Sequence, residues 1–268
     1  MKTVTHYLDA VCATVKRDAT VFASYRFRFV SQLLTMLLTM TVFYYIAKLV
    51  RPGVVGPQDR YFAYVVVGIV SLSVLTAALN TTQLVRMELL TGTFERMVIS
   101  PVGPVGGIIA LAAFPILYAI ALAGTMLVAA AGIFAFPIHV SGIPAALAVS
   151  GLAALAFTCI GLLFIAGLLA FKSAMGASWA VAGLSILGGV YFPLALFPGW
   201  LRWFSEVQPF TPAVDLLRHL LLGTPTTQPV WLELIKLAGF TVVLMPMSAA
   251  VLRSAIHLSR RRGTLMEY

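Results

Sequence analysis

Long apolar runs alternate with short polar connections along most of the chain. Six of these runs could cross the hydrocarbon core of a bilayer, about 30 Å thick, because a helix rises about 1.5 Å per residue. They cover residues 28–50, 61–85, 103–134, 143–170, 174–196 and 230–252. The pattern predicts an all-α integral membrane protein with six transmembrane helices, whose backbone polar groups are paired within the helices because lipid offers no partner.

The first 27 residues show a different, amphipathic periodicity. Apolar side chains recur at helical spacing from Val4 to Tyr25, and charged side chains lie on the other side. This predicts an N-terminal helix, residues 1–27, that lies on the membrane surface. A cleavable secretory signal is the alternative. It is disfavoured because the charged residues 16–18 interrupt the apolar core that such a signal requires.

A charged segment, residues 86–101, connects the second and third apolar runs. Glu88 and Glu95 are seven positions apart, so they would share one face of a helix that Pro101 ends. Three apolar residues could anchor that helix: Leu89, Phe94 and Met97. The segment predicts a short amphipathic helix across the membrane surface, with an ordinary polar loop as the alternative.

A stretch rich in proline and aromatic residues follows the fifth run. Pro193 and Pro198 are expected to break that run near its end. A second short helix is expected to begin at Thr211, whose hydroxyl can cap it, and to stop near Gly223. Aromatic residues expected at the headgroup level are Trp200, Trp203 and Phe204. The pattern predicts a pair of short helices, residues 197–223, that re-enter the outer leaflet.

Composition agrees with a bilayer as the main solvent. Hydrophobic residues make up 60% of the 268 positions and charged residues 10%, against about 25% charged in a soluble domain. The net charge of +9 does not indicate nucleic-acid binding, because the basic residues lie between apolar runs and not on one soluble face. Cys12 and Cys159 are interpreted as small buried apolar residues without a disulfide.

The distribution of Lys and Arg predicts the orientation of the chain. Twelve of the 18 basic residues fall on the side of the N-terminus: Lys2, Lys16, Arg17, Arg26, Arg28, Arg86, Arg96, Lys172, Arg253, Arg260, Arg261 and Arg262. Both termini are therefore expected to face the cytoplasm, in the cell membrane. An even number of spans requires the same.

No acidic residue falls at the centre of a predicted span, so the sequence offers no relay of buried ionisable groups for ion coupling. Glu233 and Lys236 lie at the outer end of the last predicted span. They are interpreted as a solvated interfacial pair, with a pair that faces the bundle as the alternative.

The chain resembles the membrane subunits of type 2 ABC exporters, the family that holds daunorubicin-resistance, nodulation-factor and polysaccharide export permeases. The resemblance covers nearly the whole chain as a single domain, residues 1–268. Its sharpest parts are a Gly-Thr-x-Glu core at 92–95, a Phe-Pro pair at 192–193, Pro-Gly-Trp at 198–200, and Pro-Phe-Thr-Pro at 209–212 followed by Asp215.

The resemblance implies that two such subunits, identical or homologous, face each other and that each docks a separate ATP-binding subunit, two copies per complex. The residues implied to couple to that subunit are Glu88, Leu89, Gly92, Thr93, Phe94, Glu95, Arg96 and Met97. Those implied to form an outer gate are Pro193, Pro198, Gly199, Trp200, Trp203, Phe204 and Asp215. ATP and Mg would be bound by the partner, because this chain shows no P-loop: Lys172-Ser173 lacks the required glycines.

The scarcity of charge favours an amphipathic, lipid-like or drug-like cargo. Candidates for lining its path are Met36, Met40, Tyr44, Tyr45, Phe114 and Tyr118. Export of a lipid-linked polysaccharide or glycolipid is the alternative. A membrane enzyme that modifies lipids is an alternative of another class, and it would need Glu206, Asp215 and His219 to gather on the outer side. No catalytic or metal-binding set is expected.

Overall fold

The computed structural model of the protein describes residues 2–49, 58–100, 102–134, 138–173 and 175–261. Within these ranges the chain forms ten α-helices and no β-strand. The helices are α1 (Lys2–Ser24), α2 (Arg26–Leu49), α3 (Gln58–Leu90), α4 (Phe94–Ile99), α5 (Gly103–Phe134), α6 (Ile143–Phe171), α7 (Met175–Leu187), α8 (Gly199–Glu206), α9 (Phe210–Leu222) and α10 (Val230–Arg261). Short 3₁₀ turns occupy Val140–Gly142 and Leu194–Leu196.

Five helices of the described chain are long and apolar enough to cross a membrane: α2, α3, α5, α6 and α10. This confirms an all-helical, multi-pass membrane protein. The fifth predicted span, residues 174–196, instead forms α7, which has 13 residues and a length of about 20 Å. Val50 and Ala174, where two of the predicted spans end or begin, lie outside the described residues.

Helix α7 ends earlier than the prolines predicted because a glycine pair stops it. Gly189 has a φ of +65°, in the left-handed region that favours glycine. Its N–H donates to the carbonyl of Ile186 at 3.0 Å, and the N–H of Val190 donates to the carbonyl of Ser185 at 3.2 Å. This is the Schellman arrangement that ends helices. Pro193 and Pro198 therefore lie in the connection beyond α7.

The predicted helix 86–101 is divided in two. Residues 86–90 continue α3 because nothing in them breaks the helix, a turn follows, and α4 begins at Phe94. Glu88 and Glu95 thus lie on different helices, so their spacing of seven does not place them on one face. Pro101 and the side chain of Glu95 lie outside the described part of the chain.

Several other boundaries differ by a few residues. The α1–α2 junction falls at Tyr25, and α10 continues to Arg261, well past the predicted end at residue 252. Helix α9 begins at Phe210 after Pro209, so Thr211 is not its cap and is buried within the first turn. The sequence predicts that both cysteines are buried. Cys159 is buried, but Cys12 is exposed because it lies on the outward face of α1.

Two buried clusters hold the helices together. The smaller cluster lies where α3, α4, α5, α6 and α10 meet beside the turn at Gly92, which we call the Gly92 end. The larger cluster fills the rest of the bundle. It extends to the opposite end, where α9 places Arg218 against α3, which we call the Arg218 end.

Helices α3 and α6 approach closely at Gly161. A Cβ atom added there would lie 2.7 Å from the carbonyl oxygen of Ala78 in α3. A Cβ atom added at Gly151, also in α6, would meet nothing within 4 Å. The two positions form a matched pair, because replacing glycine by alanine inside a helix normally stabilises that helix at either position.

Gly161→Ala is expected to destabilise the protein, whereas Gly151→Ala leaves its stability unchanged or raises it. Forcing a methyl group against backbone costs about 2 kcal/mol, which corresponds to a fall in melting temperature of about 4 to 8 °C. The measurement is thermal unfolding of the purified variants in detergent. Equal melting temperatures for the two would contradict the close packing of α3 on α6.

Candidate functional site

The segment between α3 and α5 begins with a tight reversal at Gly92, whose φ is +70°. The N–H of Gly92 donates to the carbonyl of Leu89 at 3.2 Å, and the N–H of Thr93 donates to the carbonyl of Glu88 at 3.0 Å. The Thr93 hydroxyl also donates to the Glu88 carboxylate. Glu88 therefore stabilises the turn through both its backbone and its side chain. Gly92 adopts a positive φ that would be strained in a residue with a side chain.

Helix α4 is fixed to the bundle by its inner side. Phe94 is 2% exposed, and Leu89 is buried with it in the cluster at the Gly92 end. Met97 is half-buried and packs against Gly107 of α5, where an added Cβ atom would lie 3.3 Å from the Met97 Cβ. These contacts make α4 a rigid extension of the bundle.

The outer side of the same region is apolar as well. Met87, Leu90 and Ile99 are 57%, 50% and 83% exposed. Arg86 and Arg96 of the same segment are exposed as well. Exposed apolar side chains at the end of α3 and on α4, with charges among them, are typical of a protein-docking surface. We call this set, Met87, Leu90, Arg96 and Ile99, the α4 surface.

At the opposite end, Arg218 of α9 joins three helices. Its side chain is 2% exposed. Its Nε donates to the carbonyl of Tyr64 in α3 at 3.1 Å, and its Nη2 donates to the carbonyls of Gly189 and Val190, just past α7, at 2.9 and 3.2 Å. The guanidinium carbon also lies 3.3 Å from the centre of the Tyr64 ring, a cation–π contact.

The gap that admits Arg218 depends on Gly68. A Cβ atom added at Gly68 would lie 2.7 Å from the Val190 carbonyl oxygen and 2.8 Å from the Arg218 Nη2. The Tyr64 hydroxyl closes the arrangement by donating to the Gly189 carbonyl at 3.0 Å. We call Tyr64, Gly68, Gly189, Val190 and Arg218 the Arg218 clasp.

Asp215 supplies the countercharge to the clasp. Its Oδ1 lies 3.9 Å from Nη1 of Arg218, and its Oδ2 accepts a hydrogen bond of 2.5 Å from the Thr227 hydroxyl. Arginine stays protonated in proteins, so the clasp holds a permanent buried charge.

Sequence reasoning placed Asp215 in the outer region but did not single out Arg218 or Tyr64. The available signal was the charge itself, because an arginine among the apolar residues of a short helix is costly to bury and needs a specific partner. The partners could not be read from the sequence. They are backbone carbonyls: those of Gly189 and Val190 become available because α7 ends at a glycine pair, and that of Tyr64 lies in α3.

The remaining residues of the predicted outer gate lie beside the clasp. Pro193 precedes the second 3₁₀ turn, Pro198 precedes α8, and Gly199 is its first residue. Three aromatic side chains of α8 are exposed: Trp200, Trp203 and Phe204. They are thus available to lie at a membrane interface, and the structure does not bring them into contact with Asp215.

The predicted path residues of α2 separate into two groups. Met40 is fully buried in the core, and Tyr44 packs against the rings of Phe62 and Phe134 at 5.4 and 4.9 Å between centroids. Met36 is half-buried against the same core, whereas Tyr45 is exposed. Met40 therefore faces no path in this conformation, while Tyr45 lies on an open face of α2.

Phe114 and Tyr118 of α5 pack against the N-terminal helix. The ring of Phe22 in α1 lies 5.9 Å from that of Phe114 and 4.5 Å from that of Tyr118. Phe29 of α2 lies 6.4 Å from Tyr118. In this conformation the two α5 residues hold α1 against the bundle.

The acidic and histidine residues that an outer active site would use are engaged separately. Glu206 lies 4.0 Å from the Lys236 Nζ, and the His219 Nδ1 is 2.9 Å from the carbonyl oxygen of Thr224. Asp215 is held by Arg218, as described above. Among the described residues, no three His, Cys, Asp or Glu side chains are grouped so that they could hold a metal ion.

Glu233 is not the solvated residue that its position predicted. It is 3% exposed, because the start of α10 packs against α9. The Lys236 Nζ instead lies 4.0 Å from the carboxylate of Glu206, the last residue of α8. The predicted pair of Glu233 and Lys236 is therefore wrong as an exposed interfacial pair.

Comparison with protein families identifies the chain. The family model described as ABC-2 type transporter matches residues 10–222, which include both the turn at Gly92 and the Arg218 clasp. The chain belongs to this family, whose members are membrane transport subunits that work with an ATP-binding subunit and are not themselves the ATPase. A search of curated proteins found no match.

Arg218→Leu is expected to lower the melting temperature by about 6 to 12 °C, because removing one partner of a buried charged pair costs about 3 kcal/mol. Arg218→Lys restores only part of this loss, since an ammonium group lacks the planar fork that reaches several carbonyls. The measurement is tryptophan fluorescence during heating.

Arg202→Leu is the matched control. Arg202 is exposed and its Nε donates to the carbonyl of Leu194 at 3.2 Å. Its loss is expected to shift the melting temperature by no more than about 2 °C. Equal shifts for the two leucine variants would contradict the structural role of the clasp.

Proposed function

We propose that this chain is the permease subunit of an ATP-driven exporter and that a separate ATP-binding subunit docks on the α4 surface. The observation that carries this proposal is the two-sided character of α4: Phe94 is buried in the bundle, while Arg96 and Ile99 are exposed. A helix held this way transmits a push from outside to the helices it packs on. ATP and Mg belong to the docked subunit, two copies of which would serve two permeases.

The lengths of the helices support a docking site outside the bilayer. Helix α3 has 33 residues and a length of about 50 Å, against about 30 Å of hydrocarbon. If Tyr61 lies at one interface, the 30 residues from Tyr61 to Leu90 span about 45 Å, and about 15 Å of α3 extends beyond the other interface. The α4 surface then lies in water, where exposed apolar residues favour a protein partner.

The N-terminal helix would lie at the same interface. Phe114, which packs on Phe22 of α1, is 20 residues before Phe134, about 30 Å along α5. That separation equals the thickness of the hydrocarbon core, so Phe114 lies at one interface if Phe134 lies at the other. It supports α1 as an interfacial helix that contributes to docking beside α4.

Six crossings remain our proposal for the chain, with α7 as the fifth. Near its start, Gly176 lies against the Phe164 ring of α6, where an added Cβ atom would be 3.3 Å away. Just past its end, Gly189 accepts the hydrogen bond from Tyr64 near the start of α3. The chain thus travels between the two ends of the bundle with a helix of 13 residues, and residues 188–196 complete the distance.

The excess of Lys and Arg on the side of the N-terminus supports a cytoplasmic Gly92 end and cytoplasmic termini in the cell membrane. The Arg218 end then faces outward. There α8, α9, the connection at Pro193 and Pro198, and the countercharge of Asp215 would form the outer gate.

Helix α3 links the two ends mechanically. It carries Leu89 and the Gly92 turn at one end, and Tyr64 and Gly68 of the clasp at the other. A movement of α4 upon ATP binding would therefore reach the outer helices as a rigid-body displacement. The path would run between this permease and a second one, identical or homologous. The exposed apolar side chains of α2 and α7 would face that path, the second permease or lipid.

The cargo is proposed to be amphipathic, lipid-like or drug-like. The exposed face of α2 supports this assignment: Leu34, Leu38, Val42 and Tyr45 are apolar or aromatic, and they lie on a helix of 24 residues. Such a surface favours apolar groups over charged solutes.

Ile99→Asp and Leu90→Asp are expected to weaken docking of the ATP-binding subunit. Placing a charge in the apolar centre of an interface costs about 2 kcal/mol or more, which is roughly thirtyfold in Kd. The measurement is co-purification of the two subunits from membranes, with ATP hydrolysis by the isolated complex as a second readout.

Val140→Asp is the control, since Val140 is 73% exposed but lies at the Arg218 end. This variant is expected to keep the complex intact. Both residues of the α4 surface tolerate a polar side chain in the free subunit because they are exposed, so gel filtration distinguishes lost docking from misfolding. Unchanged co-purification for both variants would contradict docking at α4.

A further inference from the structure

A cavity of about 310 Å³ lies inside the single subunit, between α3, α5, α6 and α9. Its floor is formed by buried residues of α3 and α6, among them Val74 and Phe157. One face of α9 covers it with Ala213, Leu217 and Leu221, which recur every four residues. It is separate from the proposed path between two permeases.

The cavity lining is almost entirely apolar. Ser71 and Ser150 are the polar side chains among its described lining residues, and the Ser71 hydroxyl already donates to the carbonyl of Val67 at 2.8 Å. An apolar cavity of about 150 Å³ in another protein stays dry and binds apolar ligands. Water is therefore a poor occupant of this larger cavity, and a charged group would find no partner among the described lining residues.

The mouth of the cavity lies between α5 and α6. Val128 and Leu147 on its two sides are 71% and 56% exposed, and Gly124 lies on the same open face. Measured along α5, the lining residues lie about 9 to 21 Å from Phe134, so with Phe134 at the outer interface they lie within the hydrocarbon core, from the outer leaflet to just past the midplane. The mouth therefore opens to the acyl chains of the bilayer and not to water.

We propose that the cavity binds one acyl chain of a bilayer phospholipid, which enters between α5 and α6 while its headgroup stays outside. The depth, the lateral mouth and the apolar lining each fit an unbranched hydrocarbon chain. A bound acyl chain would also pack against α9, on the face next to the one that carries Arg218. The proposal does not depend on ATP coupling or on the identity of the cargo.

The test uses the full chain in lipid nanodiscs that contain a phosphatidylglycerol with a diazirine in one acyl chain. After illumination, the labelled positions are mapped by mass spectrometry. Labels are expected on lining residues such as Val70 of α3, which is 5% exposed and out of reach of lipid unless a chain enters. If labels fall only on outward residues such as Val243, the proposal is overturned, and no variant is needed for that result.

Gly124→Leu is expected to reduce labelling of Val70 roughly tenfold, because the new side chain displaces about two buried methylene groups of the lipid chain. A Cβ atom at Gly124 meets nothing within 4 Å, so the variant fits the fold. Gly132→Leu is the matched control: it is exposed on the same helix, its Cβ atom also meets nothing within 4 Å, and it does not line the cavity. Equal labelling in the two variants would overturn the proposal.

Discussion

One buried arginine holds three helices together at the Arg218 end by pairing with the backbone beyond the end of a helix. Buried carbonyl groups need a hydrogen-bond partner, and the chain just past a helix end lacks the regular partners of the helix. Arg218 donates to two such carbonyls beyond α7 and to a third in α3. Because the same side chain belongs to α9, it also fixes α9 against the end of α7, and Gly68 provides the space in which the three helices meet.

The two ends of the bundle use the same local chemistry for different purposes. A glycine at positive φ ends α3 at Gly92 and α7 at Gly189, each with the paired hydrogen bonds of a Schellman motif. At Gly92 the chain leaves the bundle and presents the α4 surface. At Gly189 the chain ends α7 beside α3 and α9, and Arg218 of the clasp donates to the carbonyls of Gly189 and Val190. Helix α3 reaches both places, so a force applied at one end is delivered to the other.

The sequence predicts a helix flanked by prolines better than a helix that ends inside an apolar run. Residues 103–134, between Pro101 and Pro137, are predicted as one span, and α5 has the same bounds. The end of α7 is predicted wrongly, because a Gly-Gly pair within an apolar run is a weaker helix-ending signal than the two prolines that follow it. The role of Arg218 and the cavity beside α9 depend on how helices approach in space. Periodicity along the chain carries no information about that approach.

The account requires that the clasp lie outside the cell and the α4 surface inside, with the short helix α7 crossing between them. Cysteine labelling with a membrane-impermeant maleimide tests this most directly, using Ser173→Cys before α7 and Trp200→Cys after it, with Cys12 and Cys159 replaced. Both sites are exposed. The account predicts that intact cells label only the Trp200 position and that inverted vesicles label only the Ser173 position. Labelling of both positions from the same side would contradict it.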